Sequence, residues 1–130
     1  MKNFYFITLL QIAIVLSLHA QSNSKDSIYM HVDTAADFPG GQPAWMLYLM
    51  KNLVYPAKAM NTRITGNVLL QFVVDEKGRV KKVNALSGPV ILQKEGIRLL
   101  QSSPRWVPAI KNGEKVSSYR NQHVSFRLES

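Results

Sequence analysis

The stretch from Tyr55 to Val74 constrains what this chain can fold into more than any other segment. It opens with Tyr55-Pro56-Ala57-Lys58-Ala59-Met60, passes through Arg63-Ile64-Thr65-Gly66, and closes with Asn67-Val68-Leu69-Leu70-Gln71-Phe72-Val73-Val74. In the closing run Val68, Leu70, Phe72 and Val74 share one face; Asn67, Gln71 and Asp75 share the other with Leu69 and Val73. That period of two predicts a strand with one buried face and a second face polar only in part, which invites a cover. Asp75-Glu76-Lys77-Gly78 then reads as an exposed hairpin turn, with glycine placed where a positive φ costs little. The return strand runs from Arg79 to Leu86. Lys81-Lys82 interrupts its alternation and predicts a bulge.

The flanks supply helices. Phe38-Pro39-Gly40-Gly41 is a turn, and Pro43 suits the first turn of the helix that follows. Trp45, Leu49 and Leu53 recur four apart with Met46 and Met50 beside them, an apolar face on which the methionines read as core filling. Tyr55-Pro56 stops this helix, and Pro56 starts a second short turn. A further helix is expected from about Val90 to Ser102, with Lys94, Glu95 and Arg98 on its wet side. Pro104, Trp106 and Pro108 keep the next segment extended. Asn112-Gly113 signals a hairpin into a last strand of about Val116 to Leu128, which buries Val124, Phe126 and Leu128. The order predicts an α+β domain: a small antiparallel sheet of three strands with two helices packed on one face.

With 130 residues there is room for one small domain, and an apolar share of 46% suffices for its core without staples. No cysteine is present, which excludes disulfides, thiolate metal sites and a lipid anchor on cysteine. Residues 1–20 read as a secretory signal: Lys2 is the positive start, Phe4 to Leu18 the apolar run, and Leu18-His19-Ala20 the cleavage site. The alternative is a short membrane anchor, but 15 helical residues span about 22 Å against roughly 30 Å of hydrocarbon. Residues 21–37 read as a polar tether, with Ile28 to Val32 as a short extra strand; the domain proper is expected at 38–130. The expected location is the periplasm, or the inner membrane facing it if the anchor stays. The net charge of +8 reads first as a solubilising surface, and alternatively as a match for acidic partners such as anionic lipid, cell-wall polyanions or an acidic protein segment. The export signal and the scatter of the basic residues argue against nucleic acid.

Reactive constellations are missing from the sequence. His31 and His123 lie far apart with no carboxylates at ligand spacing, so no metal site is expected. Asp75-Glu76 at a hairpin tip is expected to titrate normally. There is no nucleophile elbow and no phosphate-binding glycine loop. The chain is expected not to be an enzyme and to need no cofactor.

Phe38-Pro39-Gly40-Gly41, Tyr55-Pro56-Ala57-Lys58-Ala59, Gly66, Phe72-Val73-Val74-Asp75 with Gly78, Pro104-x-Trp106-x-Pro108 and the closing Val124-Ser125-Phe126-Arg127-Leu128 occur in the order of the TonB carboxy-terminal domain. The resemblance covers roughly Phe38 to Leu128. It implies a three-stranded sheet flanked by two helices, and capture of an extended segment, the TonB box, of an outer-membrane TonB-dependent transporter. In that family the box adds as a strand beside the final strand, and ExbB and ExbD drive the work. Tyr55, Pro56, Gly66, Phe72, Trp106 and Phe126 match family positions and read mainly as structural.

A polar final strand with a free edge suits such capture, because it offers unpaired N–H and C=O groups to an incoming peptide. Ser117, Tyr119, Asn121, His123 and Ser125 are the side chains expected beside that edge. The alternative is a stand-alone envelope module that binds cell-wall polymer or self-associates as a homodimer through the same edge. Two features depart from the resemblance. The tether reaches roughly 60 Å at most and holds no proline, which leaves a full transduction cycle without a long spacer. Gly96 stands where relatives often carry alanine, at a cost of up to about 1 kcal/mol of helix stability.

Overall fold

The chain is described by a computed structural model over residues 27–129, so the signal segment 1–20 and residues 21–26 of the tether lie outside the described residues. The period-two run forms β2 (Gly66–Val74), and its Val68, Leu70, Phe72 and Val74 are fully buried. β3 (Val80–Ser87) returns antiparallel to it. The expected bulge is present: between Gln71 and Val73 of β2, the partner register runs from Asn84 to Lys81, and Lys82 takes a φ of 53°.

Three helices pack on the buried face of the sheet rather than two. α1 (Gly41–Asn52) contributes Trp45 and Leu49, the short α2 (Ala57–Asn61) contributes Ala59, and α3 (Val90–Gln101) contributes Leu92, Leu99 and Leu100 to one core cluster. Gly96 lets α3 lie close against β2, since a Cβ there would stand 3.1 Å from Leu70 Cδ1. Its missing methyl thus serves packing as well as costing helix propensity.

The sheet has five strands, not three. β4 (Ala109–Lys111) and the long β5 (Glu114–Phe126) form the hairpin over Asn112-Gly113, whose φ values are 51° and 78°. β1 (Ile28–Tyr29) lies parallel to β5 at Ser117 and Ser118, giving the strand order β1-β5-β2-β3. The chain between β1 and α1 is no free tether. Thr34 and Asp37 bridge to Ile110 and Val107 through main-chain hydrogen bonds of 2.8–3.0 Å, and Ala36 is buried. Among the described residues, packing against the domain thus extends back from Phe38 to Ile28. Ala36 and Phe38 supply apolar surface that the domain needs, and the bridges satisfy the main-chain groups on either side.

Two turn-level expectations change. Asp75 is 3% exposed, although a hairpin tip suggested open solvent. Its carboxylate accepts hydrogen bonds from the Lys77 and Arg79 amides and from Arg79 Nε, and Lys81 Nζ stands 3.2 Å away. Gly78 closes this turn against the Trp106 segment: its carbonyl accepts from Trp106 N, and a Cβ would fall 2.2 Å from Trp106 O. Glu95 is likewise buried instead of wet. It accepts from Val54 N at 2.6 Å and from Arg98 Nε and Nη2, while Arg98 donates to Asn52 O. This latch satisfies the main chain where α1 ends, a demand that helix periodicity alone does not reveal.

Candidate functional site

β5 lies between β1 and β2. Its ladder with β2 runs without a break from Ser118 opposite Val74 to Phe126 opposite Gly66. On the other edge β1 covers Ser117 and Ser118, and from Tyr119 to Phe126 that edge has no strand partner among the described residues. Every second residue of an unpaired edge directs its N–H and C=O outward, so this stretch is a template for an added strand. The strand length matters: eight residues of β geometry span about 26 Å.

A groove of about 1020 Å³ runs along this edge, with Met46, Met50 and Leu53 on its helical side and Arg120 and Gln122 among its strand residues. The methionines do not fill the core. Met46 is 51% exposed and Met50 80% exposed, because Trp45 and Leu49 already occupy the buried stripe of α1. The result is a soft, adaptable wall beside an open sheet edge.

Four of the five residues expected at the edge share one face. Tyr119, Asn121, His123 and Ser125 are exposed on the side of the sheet away from the helices, opposite Val73, Gln71, Leu69 and Asn67 of β2. Ser125 Oγ donates to Asn67 Oδ1 at 2.6 Å, and Tyr119 stands with Lys81 on either side of Val73, which is buried. Ser117 stands apart from this set. It lies under β1 and donates its hydroxyl to Glu76 at 3.0 Å.

The residues matched to family positions lie in the packing. Tyr55 donates its hydroxyl to Ile64 O and meets Phe126 edge-on at 5.7 Å; Phe72 meets Trp106 at 4.9 Å. Pro56 O accepts from Met60 N at the start of α2, and Gly66 leaves room for Pro89.

Sequence reasoning missed the groove side of the site. Counting back in twos from Phe126 and Val124 gives Gln122, Arg120 and Ser118, polar residues at core-facing positions, and that parity was the available signal. Arg120 sits opposite the buried Phe72, and its nearest carboxylate is Asp37 at 3.8 Å. Arg120 Nε, Ser118 Oγ and Trp45 Nε1 are buried without a hydrogen-bond partner among the described residues. No group of three or more metal-ligating side chains occurs among the described residues, and no described helix is long and apolar enough to cross a membrane.

An α+β domain with helices on one sheet face and a bare strand edge beside a groove with an apolar helical wall has the form of a protein-interaction module. The particular family follows from the sequence match: residues 51–128 match the Gram-negative bacterial TonB protein C-terminal family, and the chain belongs to it. It is thus a TonB-like domain of energy-coupled transport, a family of interaction domains found in the periplasm. A solved structure described as the solution NMR structure of the Pseudomonas aeruginosa TonB CTD is similar, with 24% identity over 59% of this chain and 79% of that one, at a TM-score of 0.47. No curated protein matches the chain.

Proposed function

We propose that this chain is an exported periplasmic domain that captures an extended segment, the TonB box, of an outer-membrane TonB-dependent transporter. The segment adds as a strand along β5, beside Tyr119, Asn121, His123 and Ser125. The observation that carries this reading is the edge of β5 from Tyr119 to Phe126, which lacks a strand partner among the described residues and borders the α1 groove. Main-chain hydrogen bonds supply affinity in this mode, and the groove supplies discrimination. β1 bounds the site at Ser117 and Ser118, so the captured strand lies toward Phe126. ExbB and ExbD are partners in this scheme only if residues 1–20 remain as an anchor. The function is binding, with no catalytic step and no cofactor.

NMR titration of the full chain with transporter amino-terminal peptides tests this. Expected are amide shifts concentrated on residues 119–126, with new exchange protection there. Shifts confined to the β3 edge or to α3, or none at millimolar peptide, refute it. Concentration-dependent shifts of the same amides without peptide indicate instead a second copy of the chain on that edge.

A further inference from the structure

Two residues that line the groove, Arg120 and Trp45, each carry a buried donor that has no acceptor among the described residues. Arg120 lines the groove on the helix-facing side of β5, at the end next to β1. Its side chain is 30% exposed and lines the groove, yet its Nε is enclosed and has no acceptor among the described residues. Asp37 gives little relief. At 3.8 Å its Oδ1 is too far from Arg120 Nη2 for a hydrogen bond, and the same oxygen accepts from Phe38 N at 2.9 Å. Trp45 lines the same groove, is 1% exposed, and its indole N–H has no acceptor among the described residues either. The Trp45 indole N–H and Arg120 Nε are enclosed; the exposed part of the Arg120 guanidinium is what a ligand can meet, and an anionic acceptor suits it best.

The wall opposite Arg120 is α1, and α1 precedes the family match except for Lys51 and Asn52. A residue of an added strand directly opposite Arg120 projects to the same face, toward α1, as Phe72 does on the other side. Its neighbours two positions along project toward Met46 and Met50. The positions between them lie on the outer face beside Asn121 and His123.

We propose that Arg120 determines which segment is captured, by pairing with a carboxylate that the segment presents on its groove-facing side, next to apolar residues that meet Met46 and Met50. The inference rests on the strand-capture reading. The carboxylate comes from an Asp or Glu side chain or from a chain terminus, and either gives the planar, two-oxygen partner that a guanidinium binds in a fork.

The test uses the full chain and capped ten-residue peptides of alternating valine and serine, each carrying one glutamate moved through successive positions. Glutamine versions serve as controls, and one control has a free carboxyl terminus. Calorimetry gives Kd and NMR gives the bound location. At one groove-facing register the glutamate peptide is expected to bind about tenfold or more tightly than its glutamine twin. That ratio falls below about twofold on Arg120→Gln and partly returns on Arg120→Lys. A merely structural Arg120 leaves the ratio unchanged while altering Tm. A free terminus that matches the glutamate peptide identifies the terminus as a source of the carboxylate. The inference is overturned if no glutamate position exceeds its glutamine control on the native chain, or if Arg120→Gln keeps the discrimination. Peptides that bind at residues 119–126 without discrimination refute Arg120's role alone; peptides that never bind there refute strand capture and this inference together.

Discussion

Asp75 shows how one side chain departs from what its position in the sequence suggests. Burial pushes its carboxyl upward, but hydrogen bonds from the Arg79 amide and guanidinium, from Lys81 and from the Lys77 amide outweigh that and hold its pKa at about 2, against 3.8 for the free group. A depressed carboxylate stabilises the folded state above the unfolded pKa, and this contribution is lost as pH falls through the folded value. Between about pH 4 and pH 2 the domain is expected to lose roughly 2 kcal/mol from this residue. Urea unfolding of the native chain and of Asp75→Asn across that window measures it. The variant starts less stable and lacks this part of the acid slope; equal slopes for the two proteins contradict the assignment. The turn was legible from Gly78 and the alternation around it. The burial was not, because the turn is closed by the Trp106 segment, whose amide donates to Gly78 O across 28 positions of chain.

At the scale of elements, a latch of side-chain and main-chain hydrogen bonds joins α1 to α3. Tyr48 donates its hydroxyl to Leu99 O at 2.7 Å, and Glu95 and Arg98 hold Val54 N and Asn52 O. Glu95→Ala removes the acceptor of the Val54 amide and the ion pair of Arg98, which keeps Asn52 O, so stability is expected to fall by about 1–2 kcal/mol. Chemical denaturation measures that loss, and amide exchange is expected to rise first at Leu53 and Val54. A loss under about 0.5 kcal/mol means the latch contributes nothing. Helix periodicity placed Trp45 and Leu49 inward correctly. It also read Met46 and Met50 as core, since the broad apolar face of α1 does not say where the buried stripe stops. That boundary is set by the room beside Phe38, Trp106 and the sheet.

For the whole molecule, the consequence lies in how much of β5 stays open. β1 and the bridges at Thr34 and Asp37 bind the segment before α1 to the β4–β5 hairpin, and Ala36 enters the core. A chain that begins at Phe38 is expected to lose about 2 kcal/mol, or roughly 10 °C in Tm for a domain of this size. It also bares Ser117 and Ser118, lengthening the unpaired edge, so sedimentation is expected to show more self-association than in the full chain. A truncated chain with unchanged Tm and a monomeric profile removes β1 from both roles.

The sequence by itself determined the local grammar of this protein. Alternation in Val68 to Val74, the turns at Gly78 and Asn112-Gly113, the proline breaks and the helical stripe of α3 each depend on neighbours a few residues away. They were therefore legible without a fold, as was the family. The tertiary structure decided what covers what: β1 on Ser117 and Ser118, the latch on Glu95, and α1 set back from β5 so that its methionines and Arg120 face one groove. Those outcomes depend on bringing together residues as distant in the chain as Met46 and Arg120, which line one groove. Periodicity reports which face an element buries, whereas the partner it meets, and the edge left without one, follow from how all the elements share one core.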